Sequence, residues 1–276
     1  MNKAVVVLSG GQDSSTCAFW AAETFDEVHC VTIDYGQRHA RELEAAKNIG
    51  ILCKAKQHHF IKLGSILHGS SPLTNQNEDL EQYQNFEQMD KTIGDRVELT
   101  FVPMRNAIFL SLVANYAAAN GINNMITGVC QADNANYPDC TEDFIDAQEE
   151  TINHALGLMD RSYEHRFTIH TPLMNLSKKD SIRFSQSLLN WKAYPALAFT
   201  HTAYDGAYPP VGHDHATILR AHGFEEANVP DPLILRANLE GLMDLPDTHN
   251  YKNDHFNNQV AERIDMLKAE LTRKGA

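Results

Sequence analysis

Short apolar runs alternate with longer amphipathic segments along most of this sequence. Apolar runs of about four to eight residues are typical of buried strands, and apolar residues spaced three or four apart are typical of helices. The short runs predict strands at Val5–Leu8, Val28–Ile33, Ile51–Cys53 with Phe60–Ile61, and Met125–Val129. The longer segments predict helices at Ser14–Thr24, His39–Gly50 and Asn106–Asn120. This alternation predicts an α/β fold, in which a parallel sheet is covered by helices on both faces.

Local signals predict where several helices begin and end. The segment Asn106–Asn120 is apolar on nearly all sides and stops before Gly121, which predicts a buried helix ended by a glycine. Thr141 precedes two acidic residues and predicts a capped helix start. Ser177 and Asp180 have the spacing of a capping box, so another helix is expected to begin there.

The remaining long stretches predict loops and a C-terminal helix. Polar residues 74–96 predict a long surface loop, and residues 195–216, rich in proline, glycine, histidine and tyrosine, predict irregular structure. Near the end of the chain an apolar stripe at helical spacing consists of Val260, Ile264, Leu267 and Leu271. Such a stripe packs either on its own domain, which is the commoner case, or on a partner chain.

Composition narrows the class of protein. The chain has 276 residues, of which 43% are hydrophobic and 21% charged, as in one or two ordinary globular domains. The net charge of −13 disfavours a long nucleic acid as a direct partner.

The five cysteines are scattered without a C-x-x-C pair, so neither a disulfide framework nor a thiolate metal site is indicated. No apolar stretch approaches the ~18 residues of a membrane helix and the start MNKAVVVLSGG lacks a cleavable signal pattern, so we expect a cytoplasmic protein.

The strand predicted at Val5–Leu8 runs directly into the octet SGGQDSST, residues 9–16. Gly10 and Gly11 allow a sharp turn and a close approach of the backbone to a ligand. The octet also carries three serines whose hydroxyls can bind an anion, at Ser9, Ser14 and Ser15. The helix that follows adds free N–H groups at its first turn. Because no lysine follows the glycines, the pattern G-x-x-x-x-G-K-[ST] fails, and the octet predicts a phosphate site whose cations come from elsewhere.

The stretch SGGxDS[ST] after a first strand resembles the pyrophosphate loop of the N-type ATP pyrophosphatases, which include GMP synthetase, NAD synthetase and argininosuccinate synthetase. Further motifs lie in the order found in one family of that group: Asp34-Tyr-Gly-Gln-Arg-His39, Phe101-Val-Pro-Met-Arg-Asn106, Thr127-Gly-Val129, Tyr137-Pro-Asp-Cys140, His170-Thr-Pro-Leu173 and Leu176-Ser-Lys178. As a set these motifs are highly specific, and over about residues 1–235 the sequence resembles the 7-cyano-7-deazaguanine synthase family of the queuosine pathway.

The resemblance implies a fold, a reaction and an assembly. The fold would be a doubly wound, five-stranded parallel sheet of the adenine nucleotide alpha hydrolase-like, Rossmann type over residues 1–235, with a helical C-terminal extension over residues 236–276. The family is an ATP-dependent, AMP-forming carbon–nitrogen ligase. It adenylates 7-carboxy-7-deazaguanine and, with ammonia, converts it through the amide to 7-cyano-7-deazaguanine. ATP and Mg²⁺ are the implied cofactors, and a homodimer is the implied assembly.

The resemblance also assigns roles to the residues that match the phosphate loop. These are Ser9, Gly10, Gly11, Asp13, Ser14 and Ser15. Asp13 either orients magnesium or accepts a local hydrogen bond. The catalytic groups implied are Asp13, Ser14, Arg105 and Lys178.

Three cationic residues match the family motifs outside the loop. Arg38 and Arg105 either bind a phosphate or carboxylate, which suits a guanidinium fork, or form surface ion pairs. Lys178 lies one residue past a predicted N-cap, where the helix dipole disfavours a cation. A bound phosphate or a solvent-facing side chain would account for that lysine.

A loop that faces the base in this family corresponds to Asp133, Tyr137, Pro138 and Asp139. Asp133 or Asp139 would accept hydrogen bonds from the guanine-like N1–H and amino edge. Where the family has D-[FY]-S-G-Y-P-D-C, this chain has DNANYPDC, so Asn134 replaces an aromatic residue and Ala135-Asn136 replace Ser-Gly. These changes either redirect substrate specificity or are harmless in a loop that acts through its backbone.

The family binds a structural zinc through four cysteines, and this chain lacks all of them. The corresponding positions hold Ala203, Val211, Asp214 and Thr217. We therefore expect no structural zinc at a Cys₄ site. A weak alternative is a histidine site made by His201, His213 and His215, although their spacing fits no standard ligand pattern.

Two alternatives to the synthase function stay open. The altered base-facing loop and the lost cysteines suit a paralogue that adenylates the same or a similar carboxylate and couples it to another amine, on a small molecule or a protein. A non-catalytic nucleotide-binding protein is the second alternative, and the intact SGGQDSS octet argues against it.

Overall fold

The computed structural model describes residues 2–36, 41–64, 66–67, 71–75, 77–131, 135–162 and 165–275. In these residues the strands are β1 Lys3–Val7, β2 Glu27–Asp34, β3 Gln57–Lys62, β4 Asn124–Ile126 and β5 Thr168–His170. The helices are α1 Gln12–Thr24, α2 Arg41–Leu52, α3 Phe86–Ile93, α4 Arg105–Ala119, α5 Glu142–Ala155, α6 Lys178–Ser187, α7 Ala193–Ala196, α8 His215–Glu226, α9 Pro232–Leu239 and α10 Asp254–Lys274. The strands form one sheet in the order β3-β2-β1-β4-β5, with every neighbouring pair parallel.

Successive side chains of β1 enter two different hydrophobic cores. Ala4 and Val6 belong to a core shared with α1, α2 and α7, whereas Val5 belongs to a core shared with α4 and α5. Because side chains alternate across a strand, this division places a helical layer on each face of the sheet. The doubly wound, five-stranded parallel sheet is therefore confirmed. From β1 the chain adds β2 and β3 on one side and then crosses over to add β4 and β5 on the other side. The strand order therefore reverses at β1 and β4, and such a switch point is where this architecture binds ligands.

The local signals for helix ends are also confirmed. Thr141 caps α5 by accepting from the Phe144 N–H, and Ser177 caps α6 by accepting from the Asp180 N–H. Helix α4 ends beside Gly121 as predicted, and the φ of +66° suits a residue without a Cβ. The prediction that this helix is buried holds on one side only, since Leu110, Val113 and Ala117 are buried whereas Ser111 and Asn115 are exposed. Caps and glycines act through neighbouring residues, which is why the sequence revealed them.

The prediction of the third strand placed its first part, Ile51–Cys53, too early in the sequence. Ile51 lies in the last turn of α2, and Cys53 follows it with its N–H donating to the Ile49 carbonyl. The strand is Gln57–Lys62, which contains the predicted Phe60–Ile61. This strand lies at the edge of the sheet and is largely exposed, so its polar sequence QHHFIK gave little apolar signal.

The predicted surface loop at residues 74–96 is wrong in its second half. Asn85 caps α3, and Met89 and Ile93 of that helix are buried with Tyr83 against Leu219 of α8. These few apolar positions among polar ones form a core only because α8 covers them. Residues 195–216 begin as helical turns through Phe199 and are irregular only from Thr200 to Asp214.

The apolar stripe near the C-terminus packs on its own chain. Val260, Ile264, Leu267 and Leu271 of α10 are buried in the same core as α1 and β1, and α10 contacts α2, α7 and α9. The domain boundary after residue 235 stays a prediction. In the described part of the chain no helix is long and apolar enough to cross a membrane.

Candidate active site

The phosphate loop, residues 9–15, turns sharply at Gly10 between β1 and α1. Gly10 has a φ of +90°, and a Cβ there would lie 2.5 Å from the Glu42 carbonyl oxygen and 2.6 Å from the Ala46 nitrogen. Both the backbone conformation and the close packing against α2 therefore require a glycine. Gly128, after β4, packs equally closely on the other side: a Cβ there would lie 2.8 Å from the Ser14 nitrogen.

Hydroxyl groups organise the inside of the phosphate loop. Ser9 Oγ lies 2.9 Å from Ser14 Oγ, and Ser14 Oγ donates to the Gly11 carbonyl at 3.2 Å. No side chain caps α1, whose first N–H groups face the loop, so an anion can take that role. Of the loop residues named from the sequence, Ser9, Gly11, Asp13 and Ser14 line the cavity described below. Gly10 and Ser15 do not, and the Ser15 hydroxyl is fully buried behind the loop.

A lysine of α6 reaches the phosphate loop. Lys178 Nζ lies 2.9 Å from Asp13 Oδ2, with the two side chains 10% and 25% exposed. The lysine stem passes closely over α8, where a Cβ at Gly223 would lie 2.4 Å from Lys178 Cγ. Packing between α6 and α8 thus directs the lysine into the site, and its position is set by Asp13 rather than by solvent.

A cavity of about 600 Å³ opens above this loop at the carboxyl ends of β1 and β4. Arg105, the first residue of α4, lies on its wall and is half-buried near Tyr35, Tyr137 and Tyr204. Burial lowers the pKa of Arg105, but the phenol groups and Asp139 raise it more, so the guanidinium stays charged. The result is a permanent cation in a largely apolar pocket, suited to a phosphate or carboxylate.

Glu42 of α2 also lines the cavity and was not predicted from the sequence. Burial raises the pKa of its carboxyl to about 7, although the positive charge of Arg105 opposes the shift. This carboxyl therefore changes its charge near neutral pH. Only the packing of α2 against the phosphate loop brings Glu42 to the site.

The base-facing loop is described from residue 135 onward. Tyr137 and Pro138 line the cavity as expected. Asp139 is 7% exposed and does not line it; its Oδ2 accepts from the Asn106 N–H at 3.1 Å, at the start of α4. Asp139 therefore holds the helix that carries Arg105, and its contact with substrate stays a prediction. The predicted ligands Arg38 and Asp133 lie outside the described residues.

Asn136 explains one of the two changes in this loop. Its φ is +53°, a left-handed conformation that asparagine and glycine adopt more readily than other residues. Its side-chain amide donates to the Gly94 and Arg96 carbonyls at 2.8 and 2.9 Å. Asparagine suits this left-handed backbone, and its side chain adds two anchors to the neighbouring segment.

The segment that corresponds to the family's zinc ligands includes the N-terminal cap of α8. Asp214 caps α8 by accepting from the Thr217 N–H at 3.1 Å and from Thr217 Oγ1 at 2.8 Å. The histidines of this segment diverge: His201 Nε2 lies 2.8 Å from the Ala203 carbonyl oxygen, and His213 Nδ1 lies 3.0 Å from the Tyr83 carbonyl oxygen. Within the described residues no group of three or more His, Cys, Asp or Glu is arranged to hold a metal ion.

Two buried side chains at the cavity were not assigned to it from the sequence, which gave Gln12 no role within the octet and considered His215 only for the weak alternative histidine site. Gln12 and His215 are 6% and 4% exposed, and within the described residues none of their side-chain nitrogen or oxygen atoms has a hydrogen-bond partner. Both line the cavity. Buried polar groups without partners are rare in proteins, and a ligand or water in the cavity can supply partners to both side chains. Neither residue has a local sequence signal, since burial arises from packing.

A parallel doubly wound sheet with an anion-binding loop at its switch point defines a nucleotide-binding α/β protein. The chain belongs to the family described as queuosine biosynthesis protein QueC, whose profile matches residues 3–228. It is 44% identical over 233 residues to 7-cyano-7-deazaguanine synthase of Gloeobacter violaceus, covering 84% of this chain and 96% of that protein. It is 43% identical over 238 residues to the synthase of Laribacter hongkongensis, covering 84% and 94%.

A solved structure with a more distant likeness is the NH₃-dependent NAD synthetase of Campylobacter jejuni. The two are 14% identical with a TM-score of 0.38, over 98% of this chain and 86% of that one.

Proposed function

We propose that this chain is an ATP-dependent, AMP-forming ligase that converts 7-carboxy-7-deazaguanine, with ammonia, through the amide to 7-cyano-7-deazaguanine. The observation that carries the proposal is one cavity in which a glycine- and serine-rich loop, a lysine and a half-buried arginine meet. Lys178 and Asp13 lie at the phosphate loop, and Arg105 lies on the wall. Membership of the QueC family and the names of the relatives support this substrate.

The reaction needs two rounds of adenylation. In the first, a carboxylate oxygen of the substrate attacks the α-phosphorus of ATP and pyrophosphate leaves. Ammonia then attacks the acyl carbon, AMP leaves and a proton is lost, giving the amide. In the second, the amide oxygen attacks the α-phosphorus of another ATP and pyrophosphate leaves; loss of AMP and two protons then gives the nitrile. For each nitrile, two ATP are consumed and two AMP and two pyrophosphates are released.

The residues of the site suit these steps. The phosphate loop and Lys178 would hold the departing pyrophosphate through hydrogen bonds and charge, without the reorganisation that water requires. Arg105 would bind the carboxylate or the α-phosphate with its planar fork. Both cations are held by the protein before substrate arrives, Lys178 by Asp13 and Arg105 by buried packing.

Asp13 fits a role in holding Mg²⁺ with the nucleotide. Magnesium in such enzymes is bound by one or two carboxylates together with substrate phosphates. Asp13 supplies a carboxylate at the cavity beside Ser9 and Ser14. The metal would neutralise charge on the phosphates. The proposal includes a cytoplasmic location, where ATP is available, and a homodimer, which the resemblance alone implies.

The described part of the base-facing loop supports substrate binding in the family manner. Asn136 keeps a left-handed turn and anchors the loop to Gly94 and Arg96. This structural role accounts for the substitution without a change of substrate. Coupling of the activated acid to another amine therefore enters as an outcome of the test below.

The test is an assay of the purified chain with 7-carboxy-7-deazaguanine, ATP, Mg²⁺ and ammonium. We expect nitrile by mass spectrometry and two AMP for each nitrile. Ser14→Ala should lower AMP formation at least about 100-fold, the size of effect seen when a preorganised donor is removed. The matched control is Ser187→Ala, which removes an exposed hydroxyl at the end of α6 and should leave the rate unchanged.

Other products would contradict the proposal in distinct ways. AMP with amide or another adduct, but without nitrile, would identify a ligase that joins the acid to a different amine. Absence of AMP with the acid and ammonium would indicate that the chain binds nucleotide without this catalysis. Full activity of Ser14→Ala would show that the phosphate loop has another role.

A further inference from the structure

His215 is a buried side chain at the cavity that the reaction scheme does not use. It is the first residue of α8, is 4% exposed, and lines the cavity together with Tyr204 and Leu219. Neither ring nitrogen has a hydrogen-bond partner in the part of the chain that the structure describes. An imidazole enclosed in this way loses its bonds to water, and folding gives it nothing in return. A ligand or water in the cavity has to supply those partners.

The surroundings of His215 favour a neutral ring. Burial lowers its pKa to about 4; Glu98 acts in the opposite direction, and Lys178 acts in the same direction as burial. A neutral imidazole carries one N–H donor and one acceptor nitrogen. Phosphate and carboxylate oxygens only accept hydrogen bonds and would favour a protonated ring. The partner that suits this side chain is therefore an uncharged polar edge that both donates and accepts.

The position of His215 indicates which ligand carries that edge. The Glu98 carboxylate, which influences the imidazole, also accepts from Tyr137 Oη at 3.3 Å, and the Glu98 N–H donates to the Ala135 carbonyl at 3.0 Å. His215 thus lies between the Glu98 segment, which borders the base-facing loop, and Lys178 at the phosphate loop. The bicyclic ring of a deazaguanine presents a carbonyl beside N–H groups, which matches one donor and one acceptor.

We propose that His215 is a specificity-determining residue that binds the heterocyclic edge of the acid substrate. This inference rests on the proposed function and adds a residue outside the motifs that identify the family. It assigns His215 to recognition of the acid and not to nucleotide binding or proton transfer. Substitution should therefore change the KM for the acid and leave the KM for ATP.

The experiment compares His215→Leu and His215→Gln with wild type in the AMP-forming assay. Leucine fills a similar volume without polar atoms, so the KM for 7-carboxy-7-deazaguanine should rise about tenfold or more, as for one or two lost hydrogen bonds. Glutamine keeps a donor and an acceptor and should stay within about threefold of wild type. The KM for ATP should change less than about twofold in both. His255→Leu, at an exposed histidine on α10, is the matched control and should behave as wild type.

A thermal melt separates recognition from folding. Without ligand, His215→Leu should melt at or above the wild-type temperature, because an unpartnered polar group is replaced by an apolar one. With saturating acid, the wild type should gain more stability than the variant, since ligand binding stabilises the folded state in proportion to affinity.

Three results would overturn the inference while leaving the proposed function intact: an unchanged KM for the acid in His215→Leu, a rise in the KM for ATP instead, or a fall in kcat alone. A wild-type chain that neither binds nor adenylates the acid would overturn both proposals together.

Discussion

The buried ion pair between Arg220 and Asp231 is expected to hold the segment in which this chain lacks the family's cysteines. Arg220 donates from Nε and Nη2 to the two oxygens of Asp231 at 2.6 and 2.8 Å, and each residue is 3% exposed. Its Nη1 donates to the hydroxyls of Thr200 and Thr202 at 2.9 and 2.8 Å. Next to these, the His201 N–H donates to the Gly10 carbonyl at 3.0 Å. One guanidinium therefore links α8, α9 and the irregular segment that supports the phosphate loop.

The effect of Arg220→Met follows from the charge it leaves behind. Methionine keeps an apolar stem against Phe224 but leaves the Asp231 carboxylate buried without its counter-ion. Removing one partner of a buried ion pair costs about 3–5 kcal/mol. Asp231 keeps one bond, from the Leu233 N–H at 2.9 Å, so we expect a value near the lower end, about 3 kcal/mol.

The assay is urea unfolding at pH 7.5, followed by tryptophan fluorescence and circular dichroism. The control is Lys268→Met, which breaks an ion pair with Glu240 whose lysine side chain is 53% exposed. Exposed pairs contribute about 0–1 kcal/mol, so this variant should unfold close to wild type. The double variant Arg220→Met with Asp231→Asn should recover more than half of the loss, because asparagine removes the charge and can still cap α9.

Two results would refute this reasoning. A loss below about 1 kcal/mol for Arg220→Met would place the pair among those that contribute little. A double variant as unstable as the single one would show that the buried charge is not the cause, and that lost packing or hydrogen bonds to the threonines dominate.

The remaining predictions concern pH and metal. The pKa of Glu42 is raised from 4.5 to about 7 in the folded state, so the folded chain retains a proton that the unfolded chain loses. This group therefore stabilises the fold at acid pH. Its contribution is lost as the pH rises through about 7. Glu42→Gln should therefore flatten the decline of the free energy of unfolding between about pH 5 and 8, by up to about 3 kcal/mol; an unchanged pH profile would contradict the raised pKa. Elemental analysis should find no stoichiometric zinc, and treatment with a chelator should leave the thermal melt unchanged; a full equivalent of zinc lost together with the fold would show that His201, His213 and His215 bind it.

Much of the site could be predicted because its signals are local. The apolar run before residues 9–16 is a buried strand, and the paired glycines are needed where Gly10 turns with a φ of +90°. The caps at Thr141 and Ser177 act over three residues. Patterns of this kind are written in neighbouring positions, so a single sequence reveals them before any packing is known.

Where the sequence misled, the deciding fact was the position of an element in the fold. The edge strand Gln57–Lys62 is polar because one side of it has no neighbour, and α3 is stabilised by α8 far along the chain. No local pattern distinguishes these outcomes.

The sequence by itself determined the parallel α/β architecture, the phosphate loop and the family, since each depends on the order and spacing of nearby residues. Only the tertiary structure decided that Lys178 reaches Asp13 of the phosphate loop across 165 positions, that Glu42 and Arg105 line one cavity, and that His215 is enclosed without a partner among the described residues. The physical reason is that charge, pKa and hydrogen bonding at the site depend on burial. Burial is created by contacts between segments that are remote in the chain.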